Sequence, residues 1–165
     1  MNTGQMLITI GALMLLSVVI LRVNTNFLGT SVLMMETKQG ILAVSLGTSI
    51  LEDATGKAFD QNTDTAAVTS VSQLSTLGPE FGEDHVTKFN DFDDYDGYVV
   101  VDSTLPSAHF VAICSVDYVA DGNPESVSAS KTWNKRLTVR VTTDETGSLQ
   151  DTVILSTVYS YFYFR

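Results

Sequence analysis

The amino-acid sequence predicts an α+β fold, in which one long N-terminal α-helix, from about residue 5 to about residue 52, packs on an antiparallel β-sheet of at least four strands. The first third of the chain is apolar and contains no proline, while the last third consists of β-branched and aromatic runs separated by turn residues. Charge is segregated in the same way. The formal net charge of the whole chain is -10, but the only charged residues among residues 1–51 are Arg22, Glu36 and Lys38. We therefore expect a hydrophobic and amphipathic helix over residues 1–52 and one acidic globular head over residues 53–165.

The N-terminal apolar segment, residues 6–21, has the composition of a membrane-spanning helix. It contains no charged residue, and its only side chains with a hydroxyl group are those of Thr9 and Ser17, which can bond to a carbonyl of the preceding turn. At 1.5 Å per residue it reaches about 24 Å, slightly less than the roughly 30 Å hydrocarbon core, so Arg22 would extend its charge to the interface or the span would continue to Leu28. A cleaved secretory signal peptide fits less well, because a basic N-terminal region and a small-residue cleavage site are both missing.

The helical pattern continues beyond this apolar segment without a linker. Apolar residues recur at helical spacing at Leu28, Val32, Met35, Leu42 and Leu46. No proline occurs before residue 79, and a glycine at residue 56 can end the helix in a left-handed conformation. Two interpretations stay open: a helix that polymerises, and a plain membrane anchor whose second half packs on its own head.

The head is predicted to contain strands mainly in its C-terminal half. Four runs have strand composition: residues 98–101, 110–119, 137–142 and 152–164. Leu137, Val139 and Val141 alternate with polar residues, which predicts a strand with one face on a core. Residues 53–96 are rich in Ser, Thr, Gly and Asp and are expected to form loops, with one short helix or strand around residues 66–77. A turn is expected at residues 121–124.

Two further features concern side-chain burial. Cys114 lies in an apolar run and is expected to be a buried, unpaired thiol. In the aromatic C-terminus, strand alternation would bury Phe162 and Phe164 and leave Tyr159, Tyr161 and Tyr163 at an interface or in the core.

One acidic turn has the composition of a cation site. Asp91, Asp93 and Asp96, followed by Gly97, resemble a calcium loop, since hard cations are bound by several oxygens on a tight turn. The spacing differs from that of an EF-hand, and a simple acidic turn leading into a strand is the alternative. We therefore expect no cofactor other than a possible calcium ion at these three carboxylates.

Several classes of function are disfavoured by composition. Nucleic acid binding is not expected, because the clustered Lys and Arg that contact phosphates are missing from the acidic head. One cysteine allows no intramolecular disulfide and no cysteine zinc site. Neither of the two histidines lies in a recognisable nucleophile or metalloprotease motif, so we expect a protein that is not an enzyme.

The N-terminal layout resembles that of type IV pilins and pseudopilins. The resemblance is carried by Gly4-Gln5-Met6-Leu7-Ile8-Thr9-Ile10 and the helical pattern that follows to about residue 55. It implies processing by a prepilin peptidase between Gly4 and Gln5, a membrane-anchored precursor in the inner membrane, and assembly of the apolar helices into the core of an extracellular filament at the cell surface. The expected partners are copies of the same chain and the pilus assembly machinery.

The resemblance also implies which residues would mediate assembly. They are apolar positions along the helix together with one pair of opposite charges that staggered subunits could bring together: Leu7, Ile10, Leu13, Leu16, Val18, Leu21, Arg22, Leu28, Val32, Met35 and Glu36. The alternatives are a pseudopilin of a secretion or DNA-uptake machine, and a monomeric membrane-anchored binding domain.

Overall fold

A computed structural model describes residues 2–104, 109–143 and 152–162. The first helix, α1, runs from Thr3 to Thr55, in agreement with the helix predicted over residues 5–52. The chain divides into two compact units, residues 1–39 and residues 40–165. The division falls within α1 rather than at residues 52/53, because the last part of the helix is buried in the core of the head.

The described residues of the head contain five strands and several short helices. The strands are β1 (Val99–Asp102), β2 (Phe110–Ala120), β3 (Asn123–Val127), β4 (Asn134–Thr143) and β5 (Val153–Ser160). Ahead of them lie the short helix α2 (Gln61–Thr65) and three single 3₁₀ turns, at Val71–Gln73, Val86–Lys88 and Asp93–Tyr95. The fold is therefore α+β with an antiparallel sheet, as predicted.

The sheet is arranged around β2 and β4. Its strand order is β1-β2-β4-β5, all antiparallel, and β3 forms an additional hairpin with β2. The four predicted strand runs correspond to β1, β2, β4 and β5. The predicted turn at residues 121–124 is shorter than expected, since Gly122 adopts a φ of 80° and the chain begins to pair back on β2 at Asn123.

The C-terminal part of α1 packs on the sheet through its smallest residues. Ala43, Gly47, Ile50 and Ala54 are buried, and they follow one another at steps of four, three and four residues, so they lie on one face. A Cβ atom at Gly47 would lie 2.7 Å from Cδ1 of Leu155 on β5. The predicted stripe residues Leu42 and Leu46 flank this face, partly buried.

The core of the head confirms the predicted alternation in β4. Leu137, Val139 and Val141 are completely buried, and they lie on the same face of the sheet as Phe110 and Cys114 of the neighbouring strand β2. Burial raises the pKa of the Cys114 thiol to about 11.

The aromatic C-terminus differs from the prediction. Phe162 is 55% exposed, whereas the ring of Tyr159 packs against Phe59 and Phe92 and that of Tyr161 stacks on Trp133. The prediction that Phe162 is buried was wrong because β5 ends at Ser160, so strand alternation does not reach it. The predicted positions of residues 163 and 164 lie outside the described part of the chain.

The segment before the sheet is irregular, as expected, although its short helix is placed differently. Around residues 66–77 the structure has only the 3₁₀ turn at Val71–Gln73, and the short α-helix comes earlier, at Gln61–Thr65. Asp60 explains where this helix begins, because it caps the N-terminus. Its side chain accepts a hydrogen bond from the backbone N–H of Asn62, and the backbone N–H of Asp60 donates to the hydroxyl oxygen of Thr63.

Candidate functional site

The N-terminal unit exposes apolar side chains on every side of α1. Four consecutive residues, Leu13 to Leu16, are each more than half exposed. Four consecutive residues complete one turn of a helix, so no single polar face remains. This helix is long and apolar enough to cross a membrane, although a signal sequence near an N-terminus can meet the same criterion.

The apolar residues predicted to mediate assembly are all exposed within this structure. They are Leu7, Ile10, Leu13, Leu16, Val18, Leu21, Leu28, Val32 and Met35. Burying a large apolar side chain stabilises a protein by roughly 1.5–3 kcal/mol. Leaving this whole surface in water would therefore cost on the order of tens of kcal/mol, so it requires an apolar environment.

The two hydroxyl groups of the apolar segment need no external partner. Oγ1 of Thr9 donates to the carbonyl of Gln5 at 2.6 Å, and Oγ of Ser17 donates to the carbonyl of Leu13 at 2.8 Å. This confirms the predicted bonding to the preceding turn, which lets a polar side chain lie in an apolar environment.

The charged and processing residues lie on the same helix. Arg22 is exposed and Glu36 is half-buried, and neither side chain forms an ion pair or hydrogen bond with another described residue. Gly4 and Gln5 lie in the first turn of α1, where the backbone N–H of Gln5 donates to the carbonyl of Asn2 at 2.9 Å.

A second concentration of polar groups lies inside the head. Lys135 is completely buried, and its Nζ atom donates to Oδ2 of Asp60 at 2.9 Å, to the carbonyl of Phe59 at 2.9 Å and to Oδ1 of Asp93. Burial alone would raise the pKa of Asp60, but the Lys135 charge and the hydrogen bonds from Ser75 and Asn62 outweigh it and lower that pKa.

Beside this ion cluster, the acidic turn is held by its own carboxylates. Oδ1 of Asp91 accepts from the backbone N–H groups of Asp93 and Asp94, and Oδ2 of Asp94 accepts from those of Asn90 and Asp91. Both carboxylates are completely buried. Their other oxygens, Oδ2 of Asp91 and Oδ1 of Asp94, have no hydrogen-bond partner among the described residues.

A glutamate from a preceding turn completes this acidic group. Glu80 begins a tight turn in which the N–H of Glu83 donates to the carbonyl of Glu80 and Gly82 adopts a φ of 101°. One carboxylate oxygen from each of Glu80, Asp91 and Asp94 can be chosen so that all three lie within 4.8 Å of one another.

The local electrostatics disfavour three ionised carboxylates at this place. Burial, together with the neighbouring Asp93 and Asp94 carboxyl groups, raises the pKa of Asp91 to about 9. Burial, together with the Glu83 and Asp94 carboxyl groups, raises the pKa of Glu80 to about 7. The pKa of Asp94 is also raised, mainly by burial.

The structure therefore brings together a different set of carboxylates from the predicted one. Asp91 is shared, but Asp93 pairs with Lys135, and Oδ1 of Asp96 accepts from the backbone N–H of Val116 at 2.9 Å. The acidic group contains Glu80 and Asp94 instead of Asp93 and Asp96.

Sequence reasoning missed Glu80 and Lys135 for different reasons. Glu80 is eleven residues from Asp91, and no local pattern connects the two turns. Lys135, in contrast, could have been found by extending the alternation of Leu137, Val139 and Val141 two residues towards the N-terminus, which places a lysine on the buried face.

Comparisons of the chain with family models, with curated proteins and with solved structures found no match.

Proposed function

We propose that this chain is the structural subunit of a type IV pilus-like filament, and that its N-terminal helices bundle to form the filament core. The observation that supports the proposal is the apolar surface of α1, which is exposed on every side from Met6 to Leu21 and continues through Met35. Bundled copies of the same helix would supply the apolar environment that this surface requires.

The length of the apolar surface favours assembly over simple anchoring. Exposed apolar residues at Leu28, Val32 and Met35 lie beyond the sixteen residues of the apolar segment. A repeated head-to-tail contact between such helices does not close on itself, and it therefore produces an open helical polymer. Before assembly, the same surface would be covered by the lipid of the inner membrane.

The two opposite charges on α1 suggest how far neighbouring subunits are displaced along the filament axis. Arg22 and Glu36 are fourteen residues apart, or about 21 Å along one helix, so they cannot meet within one chain. Subunits displaced along the filament axis by about this distance would bring Arg22 of one copy beside Glu36 of another. The pair would satisfy an arginine that is costly to bury alone in an apolar core.

Electron microscopy of material sheared from cells that express the chain would test the assembly. We expect long filaments that contain the chain, and Leu13→Asp should abolish them, because a carboxylate would be buried in the apolar bundle. Ile154→Asp is a matched control, since Ile154 is an exposed apolar residue of the sheet. Membrane-bound chain without filaments would instead support a monomeric anchored domain, and filaments formed by the Leu13→Asp variant would exclude the proposed core.

A further inference from the structure

We propose that Glu80, Asn90, Asp91 and Asp94 form a binding site for one calcium ion in the head. The three carboxylates contribute oxygens that lie within 4.8 Å of one another. Calcium binds oxygens at 2.3–2.6 Å, so two ligands of one ion lie at most about 5.2 Å apart. The oxygens are therefore close enough to surround a single ion.

The free oxygens in this group distinguish it from an ordinary acidic surface. Five side-chain oxygens are buried and have no hydrogen-bond partner among the described residues: two from Glu80 and one each from Asn90, Asp91 and Asp94. Buried polar atoms are nearly always paired in native proteins, so several unpaired acceptors at one place indicate a missing donor or cation. These atoms are acceptors when the acids are ionised, and because one oxygen from each of the three carboxylates lies within 4.8 Å of the others, one cation can satisfy those three together.

The turn also orients these oxygens. Asp91 and Asp94 each use one carboxylate oxygen to accept backbone N–H groups of the turn and leave the other free. The amide of Asn90 donates through Nδ2 to Oε1 of Glu83 at 2.7 Å, which leaves its Oδ1 as a free acceptor. The backbone therefore holds the free oxygens in place before an ion arrives.

The ligand types indicate calcium rather than a transition metal. All of the free atoms are carboxylate or amide oxygens, which are ligands of hard cations, whereas zinc sites use cysteine and histidine. Calcium accepts six to eight oxygens, including bidentate carboxylates, so two oxygens of Glu80 and one or more water molecules can complete the shell.

Titration of the full-length chain in detergent would test the site. After treatment with a chelator, isothermal calorimetry with calcium should give one ion per chain, and the melting temperature of the head should rise with calcium concentration. Magnesium at the same concentration should raise it less, because magnesium requires a smaller and stricter octahedral site. The absence of binding heat, together with equal melting temperatures in calcium and in chelator, would overturn the proposal.

A pair of variants identifies the ligands. Glu80→Gln removes one ligand charge without removing any hydrogen bond made by the carboxylate, and it should weaken calcium binding by about tenfold or more. Asp84→Asn is the matched control, because Asp84 is an exposed acid that pairs with Lys88 and lies outside the proposed site. The calcium affinity of this variant should equal that of the wild type. Equal losses in both variants would indicate diffuse attraction to an acidic surface and would exclude the site.

Discussion

The Nζ atom of Lys135 lies 2.9 Å from Oδ2 of Asp60, and both side chains are completely buried although they are separated by 75 residues in the sequence. The contact joins β4 to the segment that follows α1. Asp93 pairs with the same ammonium group, so one lysine joins carboxylates from two separate loops.

Lys135→Met should destabilise the head by about 3–5 kcal/mol, because it leaves the buried carboxylates of Asp60 and Asp93 without a counter-charge. Chemical denaturation of the full-length chain would measure the change. Lys88→Met is the control, since Lys88 forms an exposed pair with Asp84, and it should cost less than about 1 kcal/mol. Similar effects of the two substitutions would contradict a structural role for the buried lysine.

Tyr95→Phe should destabilise the head by about 1–2 kcal/mol. The hydroxyl of Tyr95 donates to a carboxylate oxygen of Asp53 near the end of α1, and its ring is completely buried. Tyr98→Phe is a matched control, because Tyr98 is only partly buried, packs against the same Phe89 ring, and its hydroxyl group donates to no described residue. Thermal unfolding of both variants would measure the difference, and equal melting temperatures would show that the Tyr95 hydroxyl contributes nothing.

Gly47→Leu should destabilise the head by about 1–3 kcal/mol, since even a Cβ atom at this position would lie 2.7 Å from the side chain of Leu155. Gly40→Leu is the control on the same helix, because a Cβ atom there has no neighbour within 4 Å, and it should be neutral or stabilising by up to about 1 kcal/mol. Denaturant titration would compare the free energies of unfolding of the two variants. Equal values for Gly47→Leu and Gly40→Leu would contradict the close packing of α1 on β5.

The Cys114 thiol should react with iodoacetamide at pH 8 at least about 100-fold more slowly in the native protein than in guanidinium. It is buried, and its pKa of about 11 leaves almost no thiolate at that pH. Mass spectrometry would follow the alkylation. The double variant Cys114→Ser/Ser115→Cys moves the thiol to the exposed face of β2 and should react readily; a native Cys114 that reacted equally fast would contradict its burial.

The strands and the long helix could be predicted because their signals are local. The alternation of Leu137, Val139 and Val141 and the unbroken apolar run before Arg22 each need only neighbouring residues to define an exposed or buried face. The same alternation also contains Lys135 and could have predicted its burial. The two carboxylates that pair with Lys135 could not have been identified among the acidic residues of the head without knowledge of the fold.

The acidic group could be predicted only in part, because its residues come from two turns. Asp91 was found from its spacing, but the choice among Asp93, Asp94 and Asp96 depends on how a single 3₁₀ turn orients each side chain. Asp93 points to a lysine on β4 and Asp96 to the backbone of β2, which no sequence spacing encodes. Strand alternation failed at Phe162 for a similar reason, since β5 ends at Ser160, opposite the first residue of its partner strand β4, Asn134.

The use of only one oxygen of Asp91 and one of Asp94 to hold the acidic turn has a consequence for the order of folding and ion binding. The turn's backbone hydrogen bonds require no metal, so the head can complete its fold where calcium is scarce. The proposed calcium ion would then bind to the remaining oxygens of a turn that is already formed. Ion binding would thus be a separate step that follows folding, and the calcium concentration around the folded head would decide when it occurs.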